Sequence, residues 1–246
     1  MHRFFVHKNQ INLEQNTINI VEEDVRHIKD VLRIAPEEII EIVCDEIVYI
    51  CMVKALYKNS VETKILKQHK GKNEPKLHIN LYQGIAKGSK MDLIIQKATE
   101  IGVKEVYPII SDRTVVKIND MKKENKKVDR WNKIALEAAK QSKRDVVPVV
   151  HNIITLENVL NLLENEHNII VPYENEENVH IGDIMKDLTV GKIHIIIGPE
   201  GGFEYEEIER LQGIKSKIVS LGPRILRTET AGLVAASILM YELGDI

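Results

Sequence analysis

Two stretches in the last fifth of this chain have the residue types and spacing to hold a small ligand. The first runs Ile195-Ile196-Ile197-Gly198-Pro199-Glu200-Gly201-Gly202-Phe203 and enters an acidic helical segment, Glu204 to Gln212. The second runs from Ile218 through Leu221-Gly222-Pro223-Arg224-Ile225-Leu226-Arg227-Thr228-Glu229-Thr230 and enters Ala231 to Leu243. Glycine after a buried strand lets the backbone turn sharply and lets a ligand approach the main chain. In open α/β sheets, ligands sit at the carboxyl ends of strands, where both turns fall. Neither turn is GxGxxG or GxxxxGK[ST], the dinucleotide and phosphate-loop patterns. Helix N-termini favour anions, yet Glu204, Glu206 and Glu207 crowd the start of the first helix and would repel a phosphate. A neutral or cationic group, such as a sulfonium, suits the place better. Plain strand-to-helix corners, with Thr228 as a helix N-cap, would not need two such long turns.

The elements that must carry these turns read as follows. The chain has 246 residues and a net charge of −3 with 29% charged residues, which suits one large or two modest globular domains and excludes a uniformly basic nucleic-acid coat. Residues 1–72 read as a small β-rich domain: a strand at Met1 to Val6, a helix near Glu22 to Arg33, a hairpin of Ile39 to Cys44 with Ile47 to Leu56, and a strand at Val61 to Leu66. Gln68 to Pro75 is polar and basic and reads as the linker. In residues 73–246, strands and helices alternate, which implies a mainly parallel sheet covered on both faces. Within it, Ser89-x-x-Asp92 has the form of a capping box ahead of a helix that Gly102 ends. Cys44 and Cys51 lack zinc-type spacing and read as reduced structural thiols, so no metal site is expected. The N-terminus is not a signal peptide and no apolar run approaches 18 residues, so a cytoplasmic location with no membrane association is expected.

Charge is segregated. Arg113 to Arg144 holds eleven Lys/Arg against four Asp/Glu, and Leu156 to Gly213 holds three against thirteen. That asymmetry suggests an electropositive side facing a polyanion.

The segments Ile197 to Phe203 and Leu221 to Ala231 closely resemble the RsmE family, enzymes of the SPOUT superfamily that methylate N3 of a uridine in 16S ribosomal RNA. The resemblance extends over nearly the whole chain. It implies an α/β fold: a SPOUT methyltransferase domain with a C-terminal trefoil knot, preceded by a small PUA-like RNA-binding β-barrel. It also implies S-adenosylmethionine as cofactor, 16S rRNA or the small ribosomal subunit as partner, and a homodimer. Many relatives have glycine near Pro36-Glu37-Glu38, and Gln141-Ser142-Lys143-Arg144 resembles the family's Gln-Ser-Gly-Arg with lysine in place of glycine.

On this reading Ile197, Gly198, Gly201, Leu221, Gly222, Ile225 and Leu226 are the cofactor candidates. Methylation at N3 needs a deprotonated nitrogen aligned with the methyl group, and near-attack alignment can supply about 7–11 kcal/mol. No histidine lies in either motif. Glu229 or Glu200 could accept the proton, or Arg224 or Arg227 could stabilise the uridine anion; each could instead serve its own turn or helix end. Arg3, Arg33, Lys87, Lys90, Arg113 and Arg144 are the RNA-contact candidates. Two other readings stay open: the same fold acting on another RNA, for instance at a ribose 2′-hydroxyl, and a non-catalytic RNA-binding ribosome-assembly factor.

Overall fold

A computed structural model describes residues 1–115 and 121–244; residues 116–120 of the basic stretch lie outside the described residues. The chain divides into two compact units, Met1–Glu74 with Ala139–Val146, and Pro75–Ala138 with Val147–Ile246. The short segment Ala139–Val146 thus joins the first unit, although it follows the linker by more than sixty residues.

The first unit holds strands β1 (Arg3–Phe5), β2 (Ile11–Asn12), β3 (Thr17–Val21), β4 (Ile39–Cys44), β5 (Ile47–Leu56) and β6 (Ser60–Lys70) in one sheet, ordered β1-β4-β5-β6-β3-β2. Alternate residues point to one side, and Ile18, Ile20, Ile40, Ile42, Cys51, Val53 and Val61 form its core with Phe4 and Ile28. The β4–β5 hairpin turns on Asp45 and Glu46, both at positive φ (48° and 62°), as a two-residue hairpin turn with the right twist requires. The expected helix is shorter than its pattern: α1 (Glu23–Arg26) gives way to a wider π-type turn over His27–Val31. Strand β6 reaches Lys70, so three residues read as linker belong to the sheet. Where the resemblance calls for glycine, Glu37 and Lys143 themselves take the left-handed conformation, φ 74° and 62°. A side chain there carries local strain that glycine would avoid.

The second unit holds β7 (His78–Gly84), β8 (Glu105–Ile110), β9 (Val149–Val150), β10 (Ile154–Thr155), β11 (Ile169–Pro172), β12 (Lys192–Ile197) and β13 (Lys217–Val219). They pair in parallel in the order β10-β8-β7-β12-β11-β13, with β9 beside β8. Helices α2 (Lys90–Ile101), α3 (Met121–Gln141), α4 (Leu156–Leu163), α5 (Tyr205–Gly213) and α6 (Thr228–Leu243) complete the alternation. Apolar residues line both faces of the strands, as a parallel sheet between helix layers demands. One face packs with Met91, Ile94 and Leu239, the other with Leu160, Ile208 and Leu211. Gly102 ends α2 at φ 109°. Ser89 makes no capping bond, and the Asp92 carboxylate that would complete the box is taken elsewhere: its Oδ1 accepts from Arg130 (2.7 Å) and from the Trp131 indole (3.2 Å). Helix α6 lies on α2, β7 and β12, and its buried Gly232, Ala235 and Ala236 keep it close.

Candidate active site

The loops leaving β7, β12, β11 and β13, adjacent in that order in the sheet, build the site. Gly84 ends β7 with its backbone against the Gly198–Pro199 peptide. A Cβ at Gly84 would lie 2.3 Å from Pro199 N and 2.6 Å from Gly198 C, so any side chain would displace the first turn. Beside it, Gln83 Nε2 donates to Thr228 Oγ1 (2.8 Å) and to Gly84 O (3.1 Å), and Thr228 Oγ1 donates to Gly198 O (2.6 Å). This clasp joins the end of β7, the turn after β12 and the start of α6. It corrects the expected helix cap: the N-cap is Arg227, with no side-chain cap bond, and the Thr228 hydroxyl is committed to the Gly198 carbonyl.

The first turn is tied down by charge. Arg113 donates Nε and Nη2 to the two oxygens of Glu204 (2.7 and 2.6 Å) and Nη1 to Gly201 O (3.1 Å), the bidentate geometry that gives guanidinium–carboxylate pairs their strength. The Arg113 hydrogen bond holds the Glu204 carboxyl below the usual carboxylate range. Glu207 accepts from Asp112 N (2.9 Å) and reaches back to Glu204 N (2.8 Å). Two of the three glutamates that crowd this helix start therefore serve their own turn. Glu200 Oε1 accepts from Lys87 N (2.9 Å) and Lys90 Nζ (3.2 Å). Burial works to raise the Glu200 pKa, but these two donors outweigh it and hold it low. Lys90 also stands 3.3 Å from Glu229 Oε2, out of line for a hydrogen bond, so that buried oxygen has no hydrogen-bond partner.

The second turn is open. Pro172–Glu174, Ser220–Leu226 and Ala231 line a cleft with about 470 Å³ of empty space, part of it open to solvent. Gly222 sits at φ 107° with open space around a would-be Cβ, so conformation alone calls for glycine there. Ile225 is 84% exposed. The Arg227 side chain is 81% exposed, with Nη1 3.9 Å from Glu229 Oε1.

Of the cofactor candidates, Leu221, Gly222, Ile225 and Leu226 line this cleft, with Arg224 between them. Ile197, Gly198 and Gly201 stand in the first turn, outside the cleft walls: Ile197 is core, and Gly201 lies under Arg113, 2.9 Å from its Cβ position to Arg113 Cβ. Arg227 and Glu229 open α6 next to the cleft.

The RNA-contact candidates divide. Lys87 and Arg33 are exposed. Lys90 and Arg113 are engaged with Glu200, Glu229 and Glu204 as described. Arg3 and Arg144 are buried, and the expectation that they meet RNA is corrected. Arg3 donates to Glu41 (2.9 Å), Lys143 O (2.6 Å), Arg144 O (2.7 Å) and Asp145 (2.8 Å), while Arg144 grips Glu74 through Nε and Nη2 (3.1 and 2.6 Å). Both arginines hold Ala139–Val146 in the first unit, which is why that segment belongs there. Among the described residues no group of three or more His, Cys, Asp or Glu could hold a metal ion, and no helix is long and apolar enough to cross a membrane. Gln83 was not singled out by sequence reasoning; as one of several polar residues in β7, with His78 and Asn80, it carries little signal of its own.

Residues 72–240 match the RNA methyltransferase domain family. The chain is 35% identical to ribosomal RNA small subunit methyltransferase E of Bacillus subtilis, covering 98% of this chain and 97% of that one. It is 34% identical to the Aquifex aeolicus protein of the same name, covering 98% and 99%. The chain belongs to the RsmE family. A Neisseria gonorrhoeae member of the family, solved bound to S-adenosyl methionine, shares 33% identity with a TM-score of 0.89, covering 100% of this chain and 99% of that one. The RsmE fold therefore accounts for both units.

Proposed function

We propose that this chain transfers a methyl group from S-adenosylmethionine to N3 of a uridine in 16S ribosomal RNA. The observation that carries the proposal is the open cleft of the second turn, at the carboxyl ends of parallel strands, in a chain of the same fold along its whole length as a relative solved with that cofactor. The residues fit the group. The start of α5 is filled by Glu204 and Glu207, leaving no phosphate seat, whereas the cleft offers the backbone of Leu221 to Leu226, with Gly222 N donating to Ser220 Oγ (3.2 Å), and the Glu174 carboxylate to a sulfonium. The backbone of Leu221, Gly222, Ile225 and Leu226 would hold the cofactor, which supplies an activated methyl group.

The chain's own residues have three tasks. The cleft must exclude water and align the uridine, whose N3 lies on the pairing edge and has to be unpaired or flipped out. Arg224 and Arg227, exposed at the rim with Arg227 only loosely paired to Glu229 (3.9 Å), are suited to a neighbouring phosphate or to charge developing on the base. Glu229 opens α6 beside the cleft, and its Oε2 is ion-paired with Lys90 but accepts no hydrogen bond; it suits the proton acceptor better than Glu200, whose carboxylate is tied by two donors.

The finer architecture belongs to the same reading: residues 1–72 as a PUA-like RNA-binding barrel, residues 73–246 as a SPOUT domain, a trefoil knot at the C-terminal turns, a homodimer, and a cytoplasmic location. The contact of Gly84 with the Gly198–Pro199 peptide and the clasp to Thr228 support a tightly threaded path. Nucleoside mapping of 16S rRNA from cells with and without this protein tests the reaction. A 3-methyluridine present only with the protein is expected. A ribose-methylated nucleoside instead would move the substrate atom, and an unchanged map would remove the activity.

A further inference from the structure

With Arg3 and Arg144 buried, the first unit must offer other cations to a polyanion, and its charge is segregated along the chain. From Glu22 to Glu46 nine acids face three bases, whereas from Lys54 to Lys72 six lysines face one glutamate. That glutamate, Glu62, is taken up by Lys54 Nζ (2.7 Å) and the Tyr57 hydroxyl (3.1 Å). Lys64, Lys67, Lys70 and Lys72 are exposed, and none has a carboxylate partner among the described residues.

The register shows how Lys64 and Lys67 come to share a face. Lys64 pairs with Met52 and Ile65 with Cys51, but Ile50 pairs with Lys67, so Leu66 is an extra residue in β6. Cys51 is fully buried and Ile65 packs on the core with it. Without the bulge, the residue two beyond Ile65 would return to the core side. With it, Lys67 opposes Ile50 and joins Lys64 on the outer face, a re-aiming that bulges perform. Leu66 is left 50% exposed between them.

We infer that this outer face of β6, centred on Lys64 and Lys67, is a seat for the phosphate backbone of an unpaired RNA strand. Lys64 and Lys67 oppose Met52 and Ile50, two residues apart on β5, so at a rise of about 3.3 Å per residue they stand about 7 Å apart, a pair of cations that suits successive anions of a linear chain. Leu66 gives a sugar or base face an apolar contact between two phosphates. The inference rests on the RNA reading of the function and adds to it a surface that neither motif contains.

The test uses the full chain with Lys64→Glu and Lys67→Glu together, and Lys8→Glu as a control for general charge. Thermal melting shows that the variants fold; if the double glutamate variant does not, Lys64→Gln with Lys67→Gln replaces it. Binding to a 16S rRNA fragment is followed against salt, and methyl transfer is measured at saturating cofactor. Two lost phosphate contacts should lower the slope of log affinity against log salt by about 1.4 and raise KM for RNA at least tenfold, with kcat and cofactor affinity unchanged. An unchanged slope and KM in a folded variant would overturn the inference. So would wild-type binding to anionic vesicles that exceeds RNA binding and is lost in the variant. If the wild-type protein binds the fragment but methylates no 16S rRNA, the proposed reaction fails while the slope still decides the surface.

Discussion

The two glycine-bearing turns look alike in sequence and differ in kind. The turn after β12 is a built corner: Arg113, Lys87, Lys90, Glu207 and Thr228 each bond into it, and neighbours press on each of its glycines, Gly202 also taking a positive φ of 71°. The turn after β13 lines the cleft with few ties of its own, and Gly222 is there for its φ while space around it is empty. One turn supports and the other receives. Glycine content alone does not separate these roles; the density of side-chain partners does.

Three experiments bear on that contrast. The largest effect is expected at the supporting turn. Gly84→Ala puts a carbon against two backbone atoms that cannot rotate away, and overpacking of that kind costs about 1–3 kcal/mol, occasionally more. Denaturant unfolding should show a loss at or above 3 kcal/mol together with lost cofactor binding; near-wild-type stability would mean the first turn yields easily. At the receiving turn the effect should fall on rate. Arg227→Lys removes a planar fork of donors from an exposed site, so single-turnover methyl transfer should drop about tenfold or more, about 1.4 kcal/mol, with an unchanged melting temperature. An early-melting variant that transfers methyl normally would assign Arg227 to structure. The smallest effect concerns pH. The Glu200 pKa is held below its ordinary 4.5 in the folded chain, so its contribution is present above 4.5 and fades as pH falls through the lowered value. Glu200→Gln should therefore melt lower than wild type at pH 7, and the gap should close below pH 4.5. A gap that stays constant with pH would show that the ionised carboxylate contributes nothing.

Much of this was legible because local chemistry and tertiary need agree. Alternating strands and helices in the second unit, the left-handed end of α2 at Gly102, and the lining of the cleft by Leu221 to Leu226 follow from pattern and turn residues. What was not legible depends on partners distant in sequence. Arg3 and Arg144 look like surface cations until Glu41, Glu74 and Asp145 are brought to them. Asp92 looks like a capping residue until Arg130 and Trp131 compete for it. Thr228 looks like a helix cap until Gly198 offers a carbonyl. The bulge at Leu66 has no glycine to announce it, and only the register with β5 exposes it.

The clasp between Gln83 and Thr228 also sets a timetable. It closes across 145 residues of chain, and joining such distant segments must overcome loop-closure entropy before any contact offsets it. The strands and the sheet face packed by Leu160, Ile208 and Leu211 can form while α6 is still unplaced, but the other face and both turns lack their final support until α6 and Thr228 arrive. Competence to bind ligand should therefore be the last property to appear during refolding, well after the far-ultraviolet signal has levelled off. A chain still emerging from the ribosome would present most of a fold and none of a site.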